Sequence, residues 1–207
     1  MSPKIVDKEK RRKEIINATL EVFSERGYEA TSMSQIAKLA GIGKGTIYEY
    51  FESKEEIILN AIKTWAEGME GEVGKQLDGI DDPVERLRKF AHSSMEAFMS
   101  DKRIMRLFLA MLEIMLDSEK PYPQLIRETM QGVTKAIADI LHEGVSRGIF
   151  RPDVLADAEK IAVNFMAYLD GIGVYYYMLK DYISIKDQVD LYLDNLLESL
   201  KMENDNA

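Results

Sequence analysis

The chain has 207 residues, a net charge of −9 from 27 Lys and Arg against 36 Asp and Glu, and no Cys. The length suits one or two domains, and the missing Cys excludes a disulfide framework or a Cys-based metal site. No run of about 18 apolar residues is free of charge, so no membrane span is expected. The first basic residues lead into no apolar run, so no secretory signal is expected either.

Helix formers dominate, only five Pro occur, and strand-type alternation is nearly absent, which predicts an all-α chain of about nine helices. Charge is unevenly spread: residues 1–54 carry 10 Lys and Arg against 8 Asp and Glu, net +2, and the remainder carries 17 against 28, net −11. Only the N-terminal part suits a phosphate backbone; the acidic remainder would repel one and leave a single face able to dock.

Helix 1 is expected over about Asp7 to Arg26, with Ile15, Ile16, Thr19, Leu20 and Phe23 as its apolar stripe and Gly27 as its stop. Lys8, Lys10, Arg11, Arg12 and Lys13 cluster at its start. They are either a solvated helix end or a phosphate-binding or minor-groove arm. Ser32 stands three residues before Gln35, the spacing of a capping box. Gly41 ends that short second helix, Ile42 fills the turn, and Gly43 opens a third helix over Lys44 to Phe51. Tyr28, Phe23, Ile36, Ile47 and Phe51 would form a small core. Two short helices joined by a Gly-containing turn make a helix-turn-helix. The GIGKGT run is not a phosphate loop, because the GxxxxGK spacing fails, Gly45 follows Lys44 where Ser or Thr is required, and no strand precedes it.

The series Ile36-Ala37, Ala40-Gly41-Ile42, Lys44-Gly45-Thr46-Ile47-Tyr48, Tyr50-Phe51 and Ser53-Lys54-Glu55-Glu56-Ile57 resembles the DNA-binding segment of the TetR family of bacterial transcriptional regulators. With helix 1 the resemblance covers about the first quarter of the chain. The start of the third helix would enter the major groove. There Lys44 can donate to guanine, Gly45 admits close backbone approach, and Thr46 offers a hydroxyl and a methyl. The resemblance implies phosphate contacts for Ser32, Tyr48, Tyr50 and Lys54. Gly43 stands where the family often has Ser, and Glu49 and Glu52 are acidic departures on this side.

Helix 4 is expected from Lys54 to about Leu77, capped by Ser53, with Ile57, Ile58, Ala61, Ile62 and Trp65 inward and a soft second half at Gly68, Gly71 and Gly74. Asp82-Pro83 starts helix 5, which runs to about Ser100. Helix 6, Lys102 to Asp117, is apolar nearly all round and is expected to be buried on all sides. Its Glu113 would pair with Arg106 or another base, or meet a cationic or hydroxylated ligand. Lys120-Pro121-Tyr122-Pro123 breaks the chain before helix 7, which runs to about Arg147. Helix 8, Val154 to Leu179, carries two apolar stripes, and helix 9, Ile185 to Lys201, is amphipathic. The residues after it read as a disordered tail.

The expected architecture is therefore a helix-turn-helix DNA-binding domain over residues 1–53 and a larger helical ligand-binding and dimerisation domain over 54–207. Helix 4, about 54–77, connects them. Phe165, Leu169, Ile172, Tyr176, Val189, Tyr192, Leu193 and Leu196 on helices 8 and 9 are the candidate dimer interface, with internal core as the alternative. Trp65, Phe90, Phe98, Met105, Phe108, Met111, Met115, Phe165 and Tyr168 are either core or the wall of an apolar ligand cavity. His92 and His142 lack metal-ligand spacing, and no GxSxG, HExxH or Cys nucleophile points to an enzyme. The resemblance implies a cytoplasmic, ligand-responsive repressor without a cofactor. It would bind a palindromic double-stranded DNA operator as a homodimer and be released by a small apolar or aromatic effector. A same-fold activator, a protein-sensing regulator, or a helical interaction protein that does not bind DNA are the alternatives.

Overall fold

A computed structural model describes residues 7–116, 123–179 and 181–202. The described residues form nine helices: α1 (Lys8–Arg26), α2 (Met33–Leu39), α3 (Lys44–Ile47), α4 (Lys54–Leu77), α5 (Pro83–Ser100), α6 (Lys102–Leu116), α7 (Pro123–Ser146), α8 (Val154–Leu179) and α9 (Ile185–Leu200). Among them the one β feature is an isolated antiparallel bridge between Phe150 and Lys201. The expected break at 120–122, the residue after α6 and the tail from 203 lie outside the described residues.

Packing divides the chain into two units, Met1–Glu67 with Asp101–Arg127 and Gly68–Ser100 with Glu128–Ala207; α4 and α7 each contribute to both. In the first unit α1 packs on α2 and α6, and α2 on α3. Asp7 caps α1 by accepting from the Glu9 and Lys10 amides at 3.1 and 3.2 Å. Ile15, Phe23, Ile36, Ile47, Phe51, Ile57 and Ile58 are buried at its centre. The capping box of α2 forms, with the Ser32 amide donating to Gln35 Oε1 at 2.8 Å and the Gln35 amide to Ser32 Oγ at 3.4 Å. Gly41 takes φ 66°, a left-handed turn that favours glycine, and the chain reverses there.

Two expectations for this unit are corrected. The third helix is α-helical only from Lys44 to Ile47; the next amides, Tyr48, Glu49 and Tyr50, bond three residues back, as in a tightened helix end. The segment stops short because Phe51 turns into the core and Ser53 already caps α4, its Oγ accepting from the Glu56 amide at 3.2 Å. Nor is α6 buried all round. Ile104, Leu107, Ala110, Met111 and Ile114 face inward, while Leu109, Leu112, Met115 and Leu116 stand exposed on the surface of the described residues. Glu113 is also exposed, and Arg106 donates to the Phe23 carbonyl at 3.3 Å instead of pairing with it.

In the second unit α5, α8 and α9 pack on one another around Leu87, Phe90, Ala162, Phe165, Leu169, Val189 and Leu193. Phe150 fills the space left by Gly144: a Cβ there would sit 2.1 Å from its ring. Phe98 lies against Gly173 in the same way, at 2.7 Å. Ser93 donates to Gln76 at 2.6 Å, joining α5 to the end of α4. Arg88–Asp194 and His92–Asp190 (2.8 Å) tie α5 to α9.

Candidate nucleic-acid interface

The first unit presents Lys44, Gly45 and Tyr48 exposed and Thr46 half-exposed on α3 and the turn after it. Ser32 is also exposed, at the N-cap of α2. Ile47 and Phe51, from the same segment, are fully buried and fix its inner side. The segment thus offers a cation, a bare backbone position, a hydroxyl and a phenol on a rigidly seated turn of helix.

Two of the expected contact residues also bond within the first unit, Lys54 through its side chain and Tyr50 through its backbone carbonyl. Lys54 Nζ donates to the Tyr28 carbonyl at 3.1 Å and lies 4.0 Å over the Tyr28 ring. The Tyr28 hydroxyl donates to Glu55 at 2.7 Å; burial and then the Glu55 carboxylate raise its pKa, so it remains a donor. Tyr50 is half-buried and its carbonyl accepts from Arg12.

Arg12 is the residue whose role the sequence does not disclose. Its guanidinium turns away from solvent, donates to the Tyr50 carbonyl, sits 4.1 Å over the Phe51 ring and approaches Glu56 at 3.5 Å. Glu56 in turn accepts from the Glu52 amide at 2.7 Å. Arg12 therefore seats the α3–α4 turn on α1, and within the basic cluster Lys8, Lys10 and Lys13 are the exposed members. The partner lies 38 residues away, and no local pattern signals it.

The expected effector wall falls in both units. Phe90, Phe98 and Phe165 are buried in the second unit, and Tyr168 is pinned there by stacking on Tyr192 at 3.8 Å and donating to the Gln188 carbonyl at 2.7 Å. Trp65, Met105, Phe108, Met111 and Met115 belong to the first unit; Met105 and Met111 are buried, and Met115 is exposed, so it walls no enclosed space among the described residues.

The expected interface stripe is corrected in part. Phe165, Leu169, Val189 and Leu193 are at most 3 % exposed within a single chain, because they form the α8–α9 seam. Ile172, Tyr176, Tyr192 and Leu196 are half-exposed. Exposed apolar residues of α8 include Leu155, Val163, Ala167, Tyr175, Met178 and Leu179, with Leu191 on α9.

The family model for "Bacterial regulatory proteins, tetR family" matches residues 15–61. The HTH-type transcriptional repressor KstR2 of Mycolicibacterium smegmatis is 31% identical over 147 residues, 71% of this chain and 71% of that protein. Among solved structures, the transcriptional regulator FadR of Bacillus subtilis in complex with stearoyl-CoA aligns at TM-score 0.76 and 22% identity, over 91% of this chain and 98% of that one. A transcriptional regulator of Saccharomonospora viridis in complex with choline aligns at TM-score 0.78 and 22% identity, over 94% and 100%. These two likenesses establish the shared fold, and the helix-turn-helix match together with the KstR2 relationship fixes the lineage: the chain belongs to the TetR family of bacterial regulatory proteins.

Proposed function

We propose that the protein is a cytoplasmic, ligand-responsive repressor that binds a palindromic operator as a homodimer and leaves it when a small effector binds. Residues 1–53 form the DNA-binding part and residues 54–207 the effector and dimerisation part. The observation that carries this reading is the exposed set Lys44, Gly45, Thr46 and Tyr48 on a segment locked from behind by Ile47, Phe51 and Arg12. Lys44 donates to a base edge in the major groove, and Ser32 and Tyr48 hold the adjacent phosphates. Lys54, seated on Tyr28, and Tyr50, held through its carbonyl by Arg12, add further phosphate contacts beside them.

One such unit reaches few base pairs, so specific binding uses two half-sites. The outward face of α8 with Tyr192 and Leu196 of α9 forms the twofold interface. Effector occupation of the second unit changes the course of α4, which belongs to both units and is softened by Gly68, Gly71 and Gly74. Ligand and operator then oppose each other by about 1–3 kcal/mol of coupling. The fold accepts ligands as different as stearoyl-CoA and choline in the FadR and S. viridis proteins, so the effector must be read from this chain's own residues.

The reading is tested by titrating the protein onto operator DNA. Wild type should lose affinity steeply with salt, and Lys44→Ala should cost about 1–3 kcal/mol with relaxed base preference. Unchanged affinity and preference in a folded Lys44→Ala protein would contradict it.

A further inference from the structure

Most polar side chains of the second unit have an identifiable partner. Ser93 donates to Gln76, Thr134 donates to the carbonyl of Met130 one turn back, Asp190 meets His92 and Lys186, and Asp194 meets Arg88. Ser94 and Asp170 are among the groups that stand outside this pattern. Ser94 is 7 % exposed, and its Oγ bonds neither to a side chain nor to the carbonyl one turn back that a helical serine ordinarily uses. Asp170, half-buried on α8, has no hydrogen-bond or ion-pair partner among the described residues.

The helix register brings these two groups to the same level. The Phe90 ring meets Phe165 at 6.1 Å, and the Phe98 ring meets Tyr177 at 6.4 Å and lies against Gly173. The helices α5 and α8 therefore run in the same direction, with residue 90 opposite 165 and 98 opposite 173–177. Ser94 is one turn from each phenylalanine, which sets it beside Leu169 and Asp170. Asp170 shares its flank of α8 with Tyr177, seven residues on, the flank toward Phe98. A hydroxyl and a carboxylate, both acceptors, thus stand between two aromatic layers on neighbouring helices.

Neither group is explained by folding. A buried hydroxyl without a partner and a desolvated carboxylate without a cation each cost stability, and burial alone raises the Asp170 carboxyl to about 6. Unpartnered polar groups of this kind, set among apolar side chains, are candidates for the polar contacts of a ligand.

We propose that the α5–α8 seam binds the effector and that the effector is a protonated organic amine on an apolar body, its N–H groups donating to Asp170 and Ser94. The rings of Phe90, Phe98 and Phe165 take the apolar body, and the carboxylate supplies the charge selection that an apolar wall lacks. An anionic ligand such as a fatty carboxylate is rejected by the same carboxylate. The inference rests on the proposed effector-responsive repressor and deepens it by naming the ligand class.

The test uses the full-length protein and three probes of one chain length: decylamine, decanol and decanoate, with binding measured by calorimetry in the absence of DNA. Wild type should bind decylamine about tenfold or more tighter than decanoate. Asp170→Asn should abolish that preference, and Ser94→Ala should weaken decylamine a few fold while leaving decanol unchanged. Circular dichroism and operator affinity of the ligand-free variants establish that they fold. Equal or tighter binding of decanoate, binding of none of the three, or an undiminished amine preference in folded Asp170→Asn overturns the site. Operator release is then read separately. Amine binding through Asp170 without release leaves the site standing and refutes the repressor's effector response. Release by all three probes alike keeps that response and refutes the amine site.

Discussion

Arg12 sits in a basic cluster beside a DNA-binding motif, yet its guanidinium is spent on Tyr50, Phe51 and Glu56. A charged hydrogen bond and a cation–π contact in a half-buried setting make its loss worth roughly 1–3 kcal/mol. Arg12→Ala should therefore lower the melting temperature and weaken DNA binding with the salt slope unchanged, because no phosphate loses its counter-charge. Lys13→Ala, at an exposed position, should reduce the slope if the helix start lies on the backbone. Asp170 makes the opposite statement. Its folded pKa is raised, from 3.8 to about 6, by desolvation. A carboxyl raised in this way binds its proton more tightly in the folded chain, so stability falls as pH rises from the unfolded value through the folded one. Asp170→Asn should accordingly stabilise the ligand-free protein at pH 7, by up to roughly 3 kcal/mol. That advantage should shrink below pH 6 and be nearly gone by about pH 4. A constant difference across that range, in paired thermal melts, would show that the carboxyl is not desolvated.

At the scale of elements, most boundaries were legible because their chemistry is local. Asp7, Gly27, Ser32, Gly41, Ser53 and Asp82-Pro83 stand at helix ends and act there as caps or turns. What local chemistry cannot show is which way an element faces. The α6 sequence is apolar on every side, so no periodicity separates Met111, which is buried, from Leu112, which is exposed. On α8 two apolar stripes compete, and the one with bulky Phe165 and Leu169 took the interior. The sequence reading offered these two as candidate dimer interface with internal core as the alternative, and the alternative is what they are within a single chain. Close helix approach is a third such feature: Gly144 looks like any helical glycine until Phe150 is seen against it. Gly144→Ala cannot be accommodated without moving that buried ring. It should destabilise by roughly 1–3 kcal/mol, whereas Gly71→Ala, with open space around it, should stabilise α4 by up to about 1 kcal/mol. Chemical denaturation of the two variants separates the cases, and a neutral Gly144→Ala would contradict the packing described for Phe150.

For the molecule as a whole, the helix-turn-helix match was readable because it is short, contiguous and rich in residues of special backbone chemistry, although the end of α3 at Ile47 and the seating role of Arg12 were not. The candidate effector and dimer surfaces were readable only as composition, since they draw on helices distant in sequence. The proposed homodimer buries the outer face of α8, where Val163, Tyr175 and Met178 are each more than half exposed in a single chain. Ala167→Glu, at the centre of that face, should give a monomer by light scattering and lose palindrome binding while the fold, read by circular dichroism, persists. A dimer that survives this charge would move the interface elsewhere. In the proposed repressor, the acidic remainder of the chain, net −11 outside residues 1–54, would repel a phosphate backbone and so disfavour non-specific binding outside the first unit.

The central claim is dimeric operator binding through Lys44 and its neighbours, and the most direct measurement is selection of genomic DNA fragments by ligand-free protein at low and moderate salt, with Lys44→Ala in parallel. The expected result is a palindrome with half-sites about 34–36 Å apart, bound more weakly at higher salt and not enriched by the variant. Folded protein that enriches no DNA at low salt, or a variant that recovers the same fragments as wild type, would contradict it.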